Sequence, residues 1–466
     1  MDLYYSKTVL PAGSNQSSIK EKTKVNSLKR NPSSHQDPHS HVFEDKDGNI
    51  IRKIPPDVIK LVEGSPYFTQ VRSPYNFSED LYRVNRIPFI SYYYEYPFPL
   101  LKQMALFYLD VLEYLHKHGY SLSDGTPFNC TYTGNNKFEF FDIGSIIPYD
   151  KSKGWQGYRQ FLTDFYFPLV YLSDLPSIYP GALLPFVNNK QWASHIKLSL
   201  KQRLRLPNII FKSFIGSSFR KDLKAKETTE IEISEDKITK IIALLRSAVR
   251  HTDYNKPKSQ WDDYYSDTIL KDNYLGRKEA IFKAYYEKIV QTASGYAIDW
   301  GANTGHFSKI MANGGLTVIA IESDHNAIAH LYETCRTKNI IPLHSSVFNP
   351  TPATGFNNSR ERLLSRIGSI ATVHAALGIV HHMQHEKNLS VDDIIAFFHE
   401  HSADRSYLII EYISPDDERY KLIRNPNYPF DESEESFVKT LEERYTILER
   451  DKPIPTREIF LAQKHG

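Results

Sequence analysis

The chain of 466 residues has only two cysteines, Cys130 and Cys335. That excludes a disulfide framework, a cysteine-rich zinc module and a cysteine-held iron–sulfur cluster, and it suits a reducing compartment. Excess charge of one sign is also missing: 57 Lys and Arg against 55 Asp and Glu leave a net charge of +2. A general polyanion binder normally shows a basic surplus in such a count. No stretch reaches the roughly 18 apolar residues of a membrane span. The best candidate, Phe165 to Val187, is broken by Ser173, Asp174, Pro176, Ser177, Pro180 and Pro185. The first residues carry no basic segment followed by an apolar run, so no signal peptide is expected. These absences point to a cytoplasmic protein without membrane contact. What is present is a globular mixture, 41% apolar and 24% charged, with 31 Tyr and 26 Phe. It can bury real cores, over about three domains at ~150 residues each.

Residues 1–40 are rich in Ser, Asn, Lys, Pro and His without a period, and read as a flexible tail. Asp47-Gly48 sits between two strand-like runs and signals a hairpin. Leu100, Leu101, Met104, Phe107, Tyr108, Val111, Leu112 and Leu115 predict a helix over 99–118. Gly134-Asn135-Asn136 predicts a second hairpin, ending at Asp142-Ile143-Gly144. Residues 151–260 read as mainly helical, and Ser234 stands where it would cap a helix. Between Lys197 and Lys226 nine Lys or Arg face one acid, a solvated face or a patch for an acidic ligand. From 261 onward short apolar runs alternate with helical segments, which predicts a parallel sheet with helices on both faces.

The sharpest signal is Ala297-Ile298-Asp299-Trp300-Gly301-Ala302-Asn303-Thr304-Gly305-His306. An apolar strand runs into a glycine loop that opens a helix. A second strand, Val318 to Ile321, ends in Glu322, 21 residues beyond Gly301. A carboxylate at the end of a neighbouring strand can accept both ribose hydroxyls of an adenosine. A dinucleotide loop would carry a middle glycine, and Asp299 would repel its pyrophosphate. S-adenosylmethionine has a sulfonium and an ammonium and no phosphate, so the charge pattern selects it over NAD. The plainer alternative is that Asp299 caps a turn and the glycines only reverse the chain.

With Asn349-Pro350, His381-His382-Met383 and Leu408-Ile409-Ile410-Glu411-Tyr412, this region resembles class I S-adenosylmethionine-dependent methyltransferases. It is similar to a nodulation-type, NoeA-like subgroup. Tyr158-Arg159-Gln160-Phe161, Trp261-Asp262-Asp263-Tyr264-Tyr265 and the Tyr/Pro-rich stretch 87–98 extend the likeness upstream. The resemblance implies an α/β protein with a Rossmann-like seven-stranded methyltransferase sheet in 261–466. Asp299 and Gly301 would face the methionyl part of the cofactor, with Gly305 at the helix start, where its missing side chain allows close backbone approach; Asn303 would also bind the cofactor, and Glu322 would hold the ribose. Ser346 stands where the pattern places a carboxylate near the adenine. Trp261, Tyr264 and Tyr265 would cover the site or pack a domain interface.

Methyl transfer asks mainly for alignment, with a base where the acceptor must lose a proton. His381 or His382, after the fourth strand, is the base candidate, against a packed, hydrogen-bonded histidine. His381 and His385 share a helical spacing, but the H-E-x-x-H pattern is absent and no metal is expected. A small-molecule or glycan-type acceptor is expected.

Upstream, Asp124 and Asn129 form D-x-x-x-x-N, and Asp142 follows across the hairpin. This resembles the catalytic and metal-binding loops of kinase-like folds, which implies ATP with magnesium. No Gly-rich loop or V-A-I-K strand precedes it, and Arg52 or Lys53 are the only substitutes for the phosphate lysine. Residues 41–150 are therefore read as an α+β kinase-like region that positions substrate, with turn-capping as the alternative. A fused kinase–methyltransferase, a nucleic-acid methyltransferase and a protein that holds the cofactor without chemistry are the competing functions. The second lacks a D-P-P-Y or N-P-P-Y motif.

Overall fold

The computed structural model describes residues 29–30, 42–75, 80–187, 234–256 and 273–466. The basic stretch 197–226, the tail before Lys29 and the aromatic group Trp261, Tyr264 and Tyr265 lie outside the described residues. The contacts divide the chain into two units. One comprises residues up to Gly64 with Thr69–Arg86, the other Ser65–Phe68 with Ile87–Gly466.

The first unit is an antiparallel sheet of order β1-β2-β3-β5-β4. Its strands are Lys29–Arg30, Val42–Glu44, Ile50–Lys53, Val71–Pro74 and Leu81–Val84, and the helix Pro56–Val62 stands between β3 and β4. Asp45 builds the β2–β3 turn by accepting the backbone N–H of Asp47 at 3.0 Å and of Asn49 at 2.9 Å. Gly48 supplies the left-handed residue at φ 78°. Ile51, Tyr75 and Leu81 form the core. Lys53 pairs with Asp80 at 3.0 Å.

The second unit opens with the helix Phe98–Lys117, whose apolar face is fully buried. Next come β6 (Tyr120–Leu122) and β9 (Ile146–Pro148), which pair with each other, and the hairpin β7 (Cys130–Gly134) with β8 (Lys137–Phe140). A helical run follows over 158–174, and the helix Glu235–His251 returns onto Phe98–Lys117. There Arg246 pairs with Asp110 and Glu113. Ser234 is the residue before that helix, but its side chain makes no capping bond, contrary to the sequence expectation. Asp236 and Glu235 in the first turn serve the exposed N–H groups electrostatically instead.

The large sheet has seven strands in the order β12-β11-β10-β13-β14-β16-β15. They are Tyr296–Trp300 (β10), Thr317–Glu322 (β11), Ile340–His344 (β12), Ala371–Ala376 (β13), Tyr407–Ile413 (β14), Tyr445–Ile454 (β15) and Arg457–Lys464 (β16). β10 to β14 are mutually parallel, and β16 runs antiparallel to both β14 and β15. The parallel strands are buried almost throughout, as helices on both faces require, so they read as apolar runs without alternation. The chain leaves β10 toward β11 and β12, then crosses back to β13 on the other side. That reversal opens a crevice at the carboxyl ends of the strands.

The upstream segments of this unit are fastened to the sheet. Asn135 N–H, at the β7–β8 tip, donates to the Lys338 carbonyl at 2.7 Å. Gly134 has φ 89°, and a side chain there would meet Asn339 Cα at 3.3 Å. Arg366 and Glu95 form a buried two-pronged ion pair, and Arg366 Nη1 also donates to the Ile90 carbonyl at 2.7 Å. The guanidinium lies 4.4 Å from the Tyr92 ring centre.

Candidate functional site

Strand β10 delivers Asp299 to the crevice, and the following loop turns through Gly301 at φ 71° and Asn303 at φ 50°. The Gly301 and Ala302 N–H groups both donate to the Ile321 carbonyl, at 2.9 and 3.0 Å, which ties the loop to β11. A side chain at Gly301 would approach Ile379 Cδ1 at 3.1 Å from a backbone conformation that favours glycine. Trp300 points the other way, fully buried, and donates from Nε1 to His374 Nδ1 at 3.1 Å.

Asp299 is 3% exposed and accepts the Ser308 hydroxyl at 2.5 Å. Burial, helped by the charge of Glu322, pushes its carboxyl up to about 6 despite that bond. Glu322 accepts the N–H of Asn303 on Oε2 at 2.9 Å and that of Asp324 on Oε1 at 2.7 Å. Burial raises its pKa too, with the two backbone bonds opposing the rise.

These groups wall a cavity of about 300 Å³. Of the residues singled out from sequence, Asp299, Gly301, Asn303, Glu322 and Ser346 line it. Ser346 accepts the Phe348 N–H at 3.1 Å, so this position contributes a hydroxyl bound to its own loop. Gly305 is not on the wall. Its φ is 75° and a side chain would lie 2.2 Å from Leu331 Cδ1, so the packing of Leu331 leaves no room for one.

The two histidine candidates separate. His382 lines the cavity, and its Nδ1 is 2.6 Å from Glu386 Oε1. His381 does not line it. Consecutive residues of a helix point about 100° apart, so Val380–Lys387 can present only one of them. His381 is buried, its ring lies nearly parallel to that of Tyr420 at 6.3 Å, and burial holds it well below the usual histidine range. His385 faces Glu432 at 3.3 Å.

Sequence reasoning missed the opposite wall. Tyr274 and Lys278, from the helix Tyr274–Ile289, line the cavity. Lys278 pairs with Glu411 at 2.7 Å, and both are buried. The Tyr274 hydroxyl donates to Glu411 and accepts from Arg457 Nη1 at 2.9 Å, while Arg457 grips Asp417 at 2.8 and 2.9 Å. The available signal was a carboxylate inside an apolar strand, Glu411 in Leu408 to Tyr412.

The upstream loops are also adjacent. Asn129 Nδ2 donates to Asp124 Oδ1 at 2.8 Å, the Phe141 N–H donates to the Asn129 carbonyl at 2.9 Å, and the Ser123 N–H reaches the Ser145 carbonyl beyond Asp142 at 2.8 Å. The backbone of Gly125 is pressed on that of Gly157, where any side chain would collide at 2.2 Å. Among the described residues no group of three or more His, Cys, Asp or Glu is placed to hold a metal ion. Among them, too, no helix is long and apolar enough to cross a membrane.

No family model matches the chain. It is similar to the nodulation protein NoeA of Rhizobium meliloti (strain 1021), with 26% identity over 385 residues, 78% of this chain and 77% of that one. Solved structures with partial overlap include magnesium protoporphyrin IX methyltransferase from Synechocystis PCC 6803 with bound S-adenosylhomocysteine, at 12% identity and a TM-score of 0.30, covering 44% of this chain and 93% of that one. The CcbJ methyltransferase from Streptomyces caelestis gives 10% identity and a TM-score of 0.30, covering 42% and 97%. Overlap of that extent carries no weight by itself. The strand order and the glycine loop show a doubly wound, mostly parallel α/β sheet whose last two strands run antiparallel, over 296–464. These likenesses do not bear on the kinase-like expectation, nor on ATP or magnesium.

Proposed function

We propose that the chain transfers a methyl group from S-adenosylmethionine to a small-molecule or glycan-type acceptor. The observation that supports this best is the pair of buried carboxylates, Asp299 and Glu322, on adjacent parallel strand ends around a left-handed glycine loop. A cavity of about 300 Å³ is of ligand size. Two carboxylates with raised pKa suit a ligand with positive charge and diol hydroxyls, and repel a diphosphate. When bound, the cofactor supplies an electrophilic methyl on a sulfonium. In this reading Glu322 accepts ribose hydroxyls, Asp299 faces the cationic portion, and Gly301 leaves the room its missing side chain would fill. His382, oriented by Glu386, takes a proton from the acceptor. Calorimetry with S-adenosylhomocysteine tests the reading. Wild type binds, and Glu322→Ala weakens binding by about 100-fold, two lost hydroxyl bonds at ~1.5 kcal/mol each. Equal affinities would overturn the ribose assignment.

A second reading concerns the upstream region. The element order along 42–174, with the Asp124–Asn129 bond and Asp142 beside it, favours a kinase-like frame. The missing Gly-rich loop and V-A-I-K strand favour a frame that positions substrate without phosphoryl transfer. The prediction is that purified protein turns over no ATP. Turnover that disappears in Asp142→Ala would instead establish a fused kinase.

A further inference from the structure

The helix Phe98–Lys117 begins without a cap of its own. The residue before it is Pro97, which offers no side-chain acceptor. The first N–H groups are accounted for one by one: Pro99 has none, and Leu100 and Leu101 both reach the Pro97 carbonyl at 3.0 Å. The Phe98 N–H remains, and it donates to His325 Nε2 at 3.0 Å, from a residue 227 positions away. An imidazole lone pair thus does the capping that Ser or Asp usually does.

His325 stands on the cofactor side of the fold. It follows Glu322 by three residues and opens the helix His325–Cys335, whose N-cap Asp324 accepts the Ala327 N–H at 2.9 Å. Asp324 itself donates its N–H to Glu322 at 2.7 Å. The intervening Ser323 carbonyl accepts from His344 Nε2 at 3.1 Å, and the His344 and His325 rings meet edge to face at 5.1 Å. Tyr254 closes the cluster, 4.8 Å from the His325 ring and 4.9 Å from that of Phe98. Burial pushes His325 down to about 2, so the ring stays neutral and keeps its lone pair.

We infer that His325 is a positioning residue that fastens the Glu322 loop to the start of the helix Phe98–Lys117, so that cofactor affinity and the order of that helix end are coupled. The inference rests on the cofactor reading above. Fixing residues 322–325 before the ligand arrives removes an ordering cost from binding. By reciprocity, a ligand on Glu322 must firm up the helix end.

The test uses the full chain with S-adenosylhomocysteine as probe, read by calorimetry and by hydrogen exchange over 98–104. In the wild type the probe is expected to bind and to slow exchange at the helix start. His325→Phe is expected to lose about ten-fold in affinity and the ligand-dependent slowing. His325→Gln, whose amide oxygen can take the Phe98 N–H, is expected to keep both. Wild-type binding with exchange at the helix start unmoved would overturn the coupling while leaving the cofactor site standing. So would a folded His325→Phe with wild-type affinity. No binding in the wild type would overturn the cofactor reading and this inference with it. The exchange arm needs no variant, so a misfolded substitution does not protect the proposal.

Discussion

Asp299→Asn should make the empty protein more stable and a worse binder. The Asp299 carboxyl is raised from its ordinary 3.8 to about 6, chiefly by burial. A carboxyl raised in the folded state contributes fully below its unfolded value and loses that contribution as pH climbs to the folded one. At neutral pH the wild type therefore carries a penalty of about 3 kcal/mol, two pKa units at ~1.4 each. Asparagine keeps an oxygen for the Ser308 hydroxyl and does not ionise. The variant should be about 2 to 3 kcal/mol more stable than wild type at pH 7, with the difference closing by pH 4. Urea unfolding at both pH values measures this, and calorimetry with S-adenosylhomocysteine should show a loss of about ten-fold or more in affinity. A variant that is less stable at pH 7, or a gap that does not depend on pH, would refute the reasoning.

Glu95→Ala should destabilise by about 3 to 5 kcal/mol, because Arg366 would be left buried without its partner; Arg366→Met added to it should recover part of the loss in urea unfolding. NMR titration of the His381 ring should show no protonation between pH 5 and 8, because burial holds it well below the usual histidine range; a midpoint inside that window would contradict its placement.

The cofactor side of the crevice was legible because it is local. A strand, a glycine turn, a helix and a strand ending in an acid occupy 26 consecutive residues, from Ala297 to Glu322, and each step is set by neighbours in the chain. The hairpins at Gly48 and Gly134 were legible for the same reason. The other wall was not, since Lys278, Glu411, Tyr274 and Arg457 meet only through folding, from positions up to 183 residues apart. Helical phase decided between His381 and His382, and nothing in the doublet states the phase. At Gly305 a side chain would also meet Leu331, a partner that sequence order does not reveal.

Hairpin tips ordinarily accept extra residues, which is why epitopes and reporters are inserted at them. The Gly134-Asn135 tip is an exception. Its amide is committed to Lys338 and its glycine leaves no clearance above Asn339. A peptide spliced in there would act as a wedge, prising β7 and β8 off the margin of the large sheet.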